Sequence, residues 1–236
     1  MTTPSKSAVH QSIKGWASIA LGPAIQIVHE FEAQTGISVQ FELLPSADIT
    51  VNLGKGLSTD FVFYPTKPIK HFINEGILSS DSFTPVVESG IGITVPMNSD
   101  LKAPQNANEL KDILLNVNSI IYATGPSGDH IEHILNQLEI KDVVKNKIKI
   151  ISGLVAKGIE EGMGDIGFQQ IPEILLVPGA KLLCPLPNDI QLKTPFSLSI
   201  HRSSSRIQEC KDLFKYLSDQ KYKDLYAKYG LQMFDY

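Results

Sequence analysis

The sequence predicts an α/β fold made of two units, with the chain crossing between them twice. Short apolar runs alternate with helical stretches along the chain, which is typical of strands packed against helices. The alternation is interrupted near Val86–Val95, where two β-rich runs flank Glu88-Ser89-Gly90, and one more strand with two helices ends the chain. If these final elements return to the first unit, the two crossovers form a hinge, and hinges of this kind close around ligands.

In the first unit, residues that start and stop helices mark the element boundaries. Pro23 at a first helical position and Gly36 after a last one are typical of helix ends, and Ser46 or Asp48 is suited to capping the second helix. The predicted elements are strand Ile13–Ser18, helix Pro23–Thr35, strand Ile37–Leu43, a helix ending at Leu53, strand Asp60–Tyr64 and helix Pro68–Asn74.

The second unit repeats this alternation before the chain returns. Its predicted elements are helix Ala107–Leu115, strand Ser119–Ala123, helix Ser127–Leu138, strand Ile148–Ile151, helix Val155–Gly162, strand Asp165–Phe168, helix Pro172–Leu175 and strand Lys181–Cys184. Strand Pro195–His201 and helices Ser205–Ser218 and Gln220–Tyr229 follow. Crossovers near 88–92 and 188–196 predict a first lobe of residues 1–88 plus 196–236 and a second of 89–195.

Composition limits the classes of partner. The 236 residues carry a net charge of −4 and no basic run longer than two residues, so neither nucleic acid nor a lipid surface is an expected partner. No apolar stretch approaches the roughly 18 residues of a membrane span. Residues 1–11 are polar and do not form a signal peptide. This favours a cytoplasmic protein, with a periplasmic protein whose leader has been removed as the alternative.

Five segments carry a resemblance to a known family. They are Phe31–Val39 (FEAQTGISV), Leu57–Phe63 (LSTDFVF), Ile73–Leu78 (INEGIL), Gly158–Gln170 (GIEEGMGDIGFQQ) and Pro172–Gly179 (PEILLVPG). In this order and spacing the chain resembles type II solute-binding proteins, and in its second lobe the molybdate-binding family of ABC importers. The resemblance implies a two-lobed type II periplasmic-binding-protein-like fold. It also implies a small anion in the cleft and an ABC transporter permease as a possible partner.

The resemblance implies that the anion is held by backbone amides, small hydroxyls and helix N-termini, as it is in that family. A helix N-terminus presents unpaired N–H groups and about half a positive charge, so it can bind an oxyanion without a cationic side chain. Four turns and one strand end supply the candidate ligand-binding residues: Ser18, Ile19, Ser46, Ala47, Gly125, Ser127, Gly128, Val155 and Gln170. For each turn, a plain capping or packing role remains the alternative.

Two residues depart from what the family implies for molybdate. Molybdate-binding proteins place a tyrosine hydroxyl where this chain has Gln170, and a glutamine pair suits a carboxylate ligand as well. Asp48 lies beside the Ser46 candidate, where it could cap the helix or bind a cationic part of the ligand. The sequence therefore predicts an oxyanion or an organic acid, without choosing between them.

Three functions remain open from the sequence. The first is a solute-binding protein, expected to be a monomer, with no catalytic residue, no cofactor and no metal. The second is an organic-acid isomerase resembling aconitate isomerase, for which a base such as His130, Asp129 or Asp48 would be needed. The third is the sensing domain of a transcription regulator, which ranks last because no helix-turn-helix segment precedes it. His130 and His133 with Glu132 lack an evident third metal ligand, so a metal site is not expected.

Overall fold

Ten strands form the framework of the structure, a computed structural model that describes residues 12–235. They are β1 Ser12–Ser18, β2 Ser38–Leu44, β3 Phe61–Pro65, β4 Thr84–Pro96, β5 Ile120–Ala123, β6 Ile148–Ile151, β7 Ile166–Gln170, β8 Ala180–Pro185, β9 Lys193–Ile200 and β10 Leu231–Met233. The predicted lobe limits reach into residues 1–11 and 236, which lie outside the described residues, as does the polar stretch considered for a leader.

The helices pack on both sides of these strands. They are α1 Ile25–Thr35, α2 Ser46–Gly54, α3 Thr66–Asn74, α4 Ala107–Asn116, α5 Pro126–Gln137, α6 Lys141–Val144, α7 Val155–Glu160, α8 Ile171–Leu175, α9 Ile207–Leu217 and α10 Lys223–Lys228. Within residues 12–235, none of them is long and apolar enough to cross a membrane.

The strand order places each half of the chain around its own core. β1 pairs in parallel with β2 and β3, and β9 inserts antiparallel between β3 and β4. In the other half, β5 pairs in parallel with β6 and β7, while β7 and β8 both pair antiparallel with β4. The fold is therefore the predicted two-lobed α/β arrangement, in which the carboxyl ends of the parallel strands carry the turns into α2, α5 and α7.

Strand β4 belongs to both halves. Val86 and Val87 at its start pack into the core that contains Phe31 and Phe196, whereas Ile91 and Ile93 pack into the core of the second half. The chain crosses once along β4 and returns through residues 186–192 into β9. The two predicted crossovers are thus present, and the lobe limits 1–88 with 196–236 and 89–195 remain a prediction.

Gln191 links the two crossovers through its side-chain amide. Its Oε1 accepts the backbone N–H of Ile91 at 2.8 Å, and its Nε2 donates to the Ile91 carbonyl at 3.0 Å. The same Nε2 lies 3.3 Å from the Leu186 carbonyl. One side chain therefore completes the hydrogen bonding of β4 at the point where the strand leaves the first sheet.

Several element boundaries differ from the sequence prediction. Pro23 lies inside a 3-10 turn, Ile19–Ala24, and α1 begins only at Ile25. The two β-rich runs around Glu88-Ser89-Gly90 form a single 13-residue strand, because Ser89 and Gly90 continue the pairing with β9. Helix α6 and strand β10 were not predicted, since four and three residues are too short to show a periodic pattern.

Candidate functional site

A cavity of about 170 Å³ lies between the ends of the parallel strands of the two halves. Its wall is assembled from turns that are distant in sequence, contributed by both halves of the molecule. The lining residues are Ser18, Ile19, Pro45, Ser46, Ala47, Asp48, Pro65, Ala123, Thr124, Gly125, Pro126, Ser127, Ser152, Gly153, Leu154, Gln169, Gln170, Glu173, Thr194 and Phe196.

On the first half, two serines meet at the cavity. Ser46 is the first residue of α2, and its hydroxyl donates to the Ser18 hydroxyl at the end of β1 across 3.0 Å. Ser18 is only 2 % exposed, so its position is fixed by packing. Because Ser46 donates, the Ser18 proton is left to donate to another acceptor. The serine predicted as a cap thus bonds to a second serine, and the N-cap position itself is held by Pro45.

On the second half, the start of α5 faces the cavity. Gly125 is the N-cap residue with φ of 116°, a conformation that favours glycine, and Pro126 begins the helix. Gly128 lies one turn further in, where a Cβ atom would meet the Ala123 carbonyl oxygen at 1.8 Å. Gly128 therefore allows the first turn of α5 to approach β5, although its own atoms do not line the cavity.

The turn before α7 brings a second helix start to the same wall. Leu154 is the N-cap residue of α7 and lines the cavity, while the Val155 side chain is buried and packs where Gly167 has no Cβ. The Ala156 N–H donates to Oε1 of Gln169 at 3.1 Å, so one amide of this helix start already has a partner. The contribution of α7 thus comes through Leu154 and Gln169 rather than through Val155.

Gln170 has a buried polar atom without a partner. Its Nε2 donates to the Thr194 hydroxyl at 2.9 Å, whereas its Oε1 makes no hydrogen bond within the described residues. Both residues line the cavity and are 6 % and 7 % exposed. An unpaired buried polar atom costs about 1–3 kcal/mol, so it indicates a place where a partner outside the chain is expected.

Glu173 adds a carboxyl group to the same wall. It is half-buried, and burial raises its pKa to about 7, although hydrogen bonds from the Gln169 side chain and the Gln170 backbone favour the ionised form. A carboxyl with such a pKa is neutral in about half of the molecules near neutral pH.

Helix starts are the main source of positive potential in the cavity. Within residues 12–235, no lysine, arginine or histidine side chain lines it, and its charged side chains are Asp48 and Glu173. The starts of the nine-residue α2 and the twelve-residue α5 both open onto it. Amide dipoles can therefore hold an anion here, with hydroxyls and Gln170 within reach.

Seven of the nine sequence-predicted residues lie together in this wall: Ser18, Ile19, Ser46, Ala47, Gly125, Ser127 and Gln170. Gly128 and Val155 pack behind it, as described above. Of the three bases considered for an isomerase, Asp48 lines the cavity. His130 and Asp129 do not: Nε2 of His130 lies 2.7 Å from the Ile190 carbonyl, and Asp129 is exposed to solvent.

Glu173 and Thr194 were missed by the sequence reasoning. Glu173 stands three residues after Gln170, the spacing at which a glutamate closes back on a helix N-cap, and this signal was available. Thr194 had no comparable signal, because it reaches the wall only through the return strand β9.

Comparison with known proteins places the chain in a family. Residues 16–232 match the model of the bacterial extracellular solute-binding protein family. The chain belongs to this family. It is a solute-binding protein, as the resemblance predicted.

Individual relatives are distant. The Azotobacter vinelandii periplasmic molybdate-binding protein superposes with a TM-score of 0.77 at 15 % identity, covering 94 % of this chain and 100 % of that one. The sulfate-binding protein SubI of Mycobacterium tuberculosis H37Rv gives a TM-score of 0.76 at 15 % identity, with 96 % and 88 % covered. An aconitate isomerase of Pseudomonas sp is 23 % identical over 85 % of this chain and 79 % of its own length. At that distance the isomerase does not favour the catalytic alternative.

Proposed function

We propose that this solute-binding protein closes its two lobes on a small oxyanion or organic acid held at the starts of α2 and α5. The observation that carries the proposal is that these two starts, one from each half, line one cavity without a cationic side chain within the described residues. Because each half supplies one helix start, the anion is fully coordinated only when the halves are close together. This arrangement couples ligand binding to closure of the hinge.

The hydroxyls of Ser18, Ser46 and Ser127 complete the proposed site. A hydrogen bond to a charged group contributes about 1.5–3 kcal/mol, so each hydroxyl that contacts the anion is expected to change affinity by tenfold or more. Gln170 can contribute in either of two orientations. Turning its amide over lets Thr194 donate to Oε1 and directs the Nε2 donors into the cavity, where they can serve an anion as a tyrosine hydroxyl would.

Screening by thermal shift tests the ligand class. Molybdate, tungstate, sulfate, phosphate and di- and tricarboxylates are each added at millimolar concentration, and at least one is expected to raise Tm by several degrees. Ser46→Ala and Ser127→Ala are expected to weaken that ligand about tenfold in calorimetry. Ser80→Ala, at an exposed serine on another face, is the control and should bind as wild type. The absence of any shift across the panel would contradict the proposal.

The family also supports a proposal for the compartment and the partner. We infer that the protein works outside the cytoplasmic membrane and delivers its ligand to an ABC transporter, since its family is extracellular. This is the second of the two compartments considered from the sequence. Cell fractionation tests it, and recovery of the native protein only with cytoplasmic markers would contradict it. The expected monomer is tested by sedimentation.

A further inference from the structure

The carboxyl of Glu173 occupies a fixed position in the wall of the proposed anion site. Gln170 is the N-cap residue of α8, and Glu173 is the third residue of that helix. Its carboxyl accepts the Gln170 backbone N–H, as the glutamate of a capping box does. The helix start therefore holds the carboxyl at the cavity.

Gln169 fixes this carboxyl from the other side. Its Oε1 is occupied by the Ala156 N–H of α7, so its Nε2 is the end that is left to donate to Glu173. Gln169 is 3 % exposed and has little freedom to turn. Glu173 also lines the cavity, where its carboxyl can meet a ligand.

No positive charge offsets Glu173 within the described residues of the cavity wall, where the other charged group is Asp48. Asp48 is exposed and can stay hydrated, whereas Glu173 is half-buried. Most charged groups on the elements packed against α8 are paired with each other. Glu88 of β4 pairs with Lys193 of β9, and Lys157 of α7 pairs with Glu160 and Glu161. Lys181 of β8 is exposed to solvent. An ionised Glu173 would therefore repel an anion in the cavity, with no cationic side chain in the described wall to offset the repulsion.

We propose that the cleft takes up its anion together with one proton, and that Glu173 carries this proton as a neutral acid whose O–H donates to the ligand. The proton comes from water, and the neutral acid converts a repulsive carboxylate into a hydrogen-bond donor. The inference rests on the proposed function. Burial, which raises the pKa of this carboxyl to about 7, makes the uptake easy near neutral pH.

The proposal fixes how affinity depends on pH. Below the pKa of Glu173 the acid is already neutral, and affinity is expected to be constant. Above it each binding event must take up a proton, so affinity falls by up to tenfold for each pH unit. This fall in affinity with rising pH is the opposite of what a ligand-binding histidine would cause if it had to be neutral, because affinity would then rise with pH.

Calorimetry with sulfate, molybdate and fumarate as probes tests the proposal, because these anions stay fully ionised from about pH 6.5 to about pH 8.5. Binding at about pH 8 is measured in two buffers of different ionisation enthalpy, and the wild type is expected to take up about one proton per ligand. Glu173→Gln should bind without proton uptake and with the same affinity across this range. Asp48→Asn, at the other carboxyl of the wall, should keep the uptake.

The outcomes separate this inference from the function on which it rests. If a probe binds the wild type with constant affinity and no proton uptake, Glu173 is not the proton carrier, and the anion-binding function stands. If neither these probes nor any other anion of the thermal-shift panel binds at any pH, the proposed function fails and this inference falls with it. If Glu173→Gln does not fold, the inference is still tested: absence of proton uptake by the wild type overturns it, and uptake retained in Asp48→Asn supports it.

Discussion

Gln170 and Thr194 meet in the wall of the cavity, where one hydrogen bond of 2.9 Å joins them and the Gln170 Oε1 has no partner in the described chain. Such an atom lowers stability in the empty protein and finds its partner only when a ligand or an ordered water arrives. The unpaired atom therefore makes the folded protein less stable and makes ligand binding more favourable.

The double variant Gln170→Leu/Thr194→Val tests whether this pair lowers stability and raises affinity. Removing both partners of a buried hydrogen bond together is nearly neutral or stabilising, so we expect a denaturation midpoint equal to or above that of the wild type. Anion affinity, measured by calorimetry, is expected to fall about tenfold. A large loss of stability with unchanged affinity would show that the pair serves the fold and not the ligand.

Helix α5 is held in position by a carboxylate near its middle. Glu132 accepts the hydroxyl of Tyr122 on β5 and pairs with Lys141 on α6, and these contacts hold the pKa of Glu132 below its usual range. Lys141 makes the larger contribution, followed by Tyr122. The ionised Glu132 thus joins three elements, and the start of α5 at the cavity depends on this anchorage.

Replacing Glu132 by Gln is expected to destabilise the protein by about 1 kcal/mol near neutral pH. Because the folded pKa is lowered, the contribution of Glu132 is present above its ordinary pKa and is lost as pH falls through the folded value. Urea denaturation at about pH 7 and about pH 3 should therefore show a difference from wild type only at the higher pH. Asp142→Asn, at an exposed position of α6, is the control. An equal difference at both pH values would contradict the electrostatic explanation.

At the scale of elements, most of the fold followed from the sequence because periodic apolar runs long enough to be recognised formed the long helices and the parallel strands. The short elements did not: α6 and β10 owe their conformation to packing between residues far apart in sequence. The same division holds in the site. Ser18, Ser46 and Gly125 stand in turns with recognisable residues, whereas Thr194 reaches the cavity by tertiary pairing alone.

For the whole molecule, the hinge depends on how firmly its two crossovers are joined. Gln191 connects them by replacing backbone partners of Ile91 in β4. Without this side chain the return segment has fewer contacts with β4, and the conformations in which the lobes are apart become more populated. A ligand that needs the closed state then binds more weakly, in proportion to the closed fraction.

Gln191→Ala is expected to enlarge the radius of gyration of the ligand-free protein in small-angle X-ray scattering and to weaken anion binding several-fold. Saturating anion should restore the compact form. Gln208→Ala, which removes an exposed glutamine of α9 bonded only to Asp212, serves as the control. Unchanged scattering and affinity in Gln191→Ala would show that the amide does not restrain the hinge.

The shared strand β4 also has a consequence for how the protein emerges from the ribosome. Strands β5–β8 follow β4 directly, so all strands of the second half are present once residue 185 has been translated. The first half has to wait, because β9 lies between β3 and β4 and β10 pairs with β4 only at residues 231–233. Although domains usually fold in the order of synthesis, here the half that starts first finishes last, with β3 left as an open edge in the nascent chain.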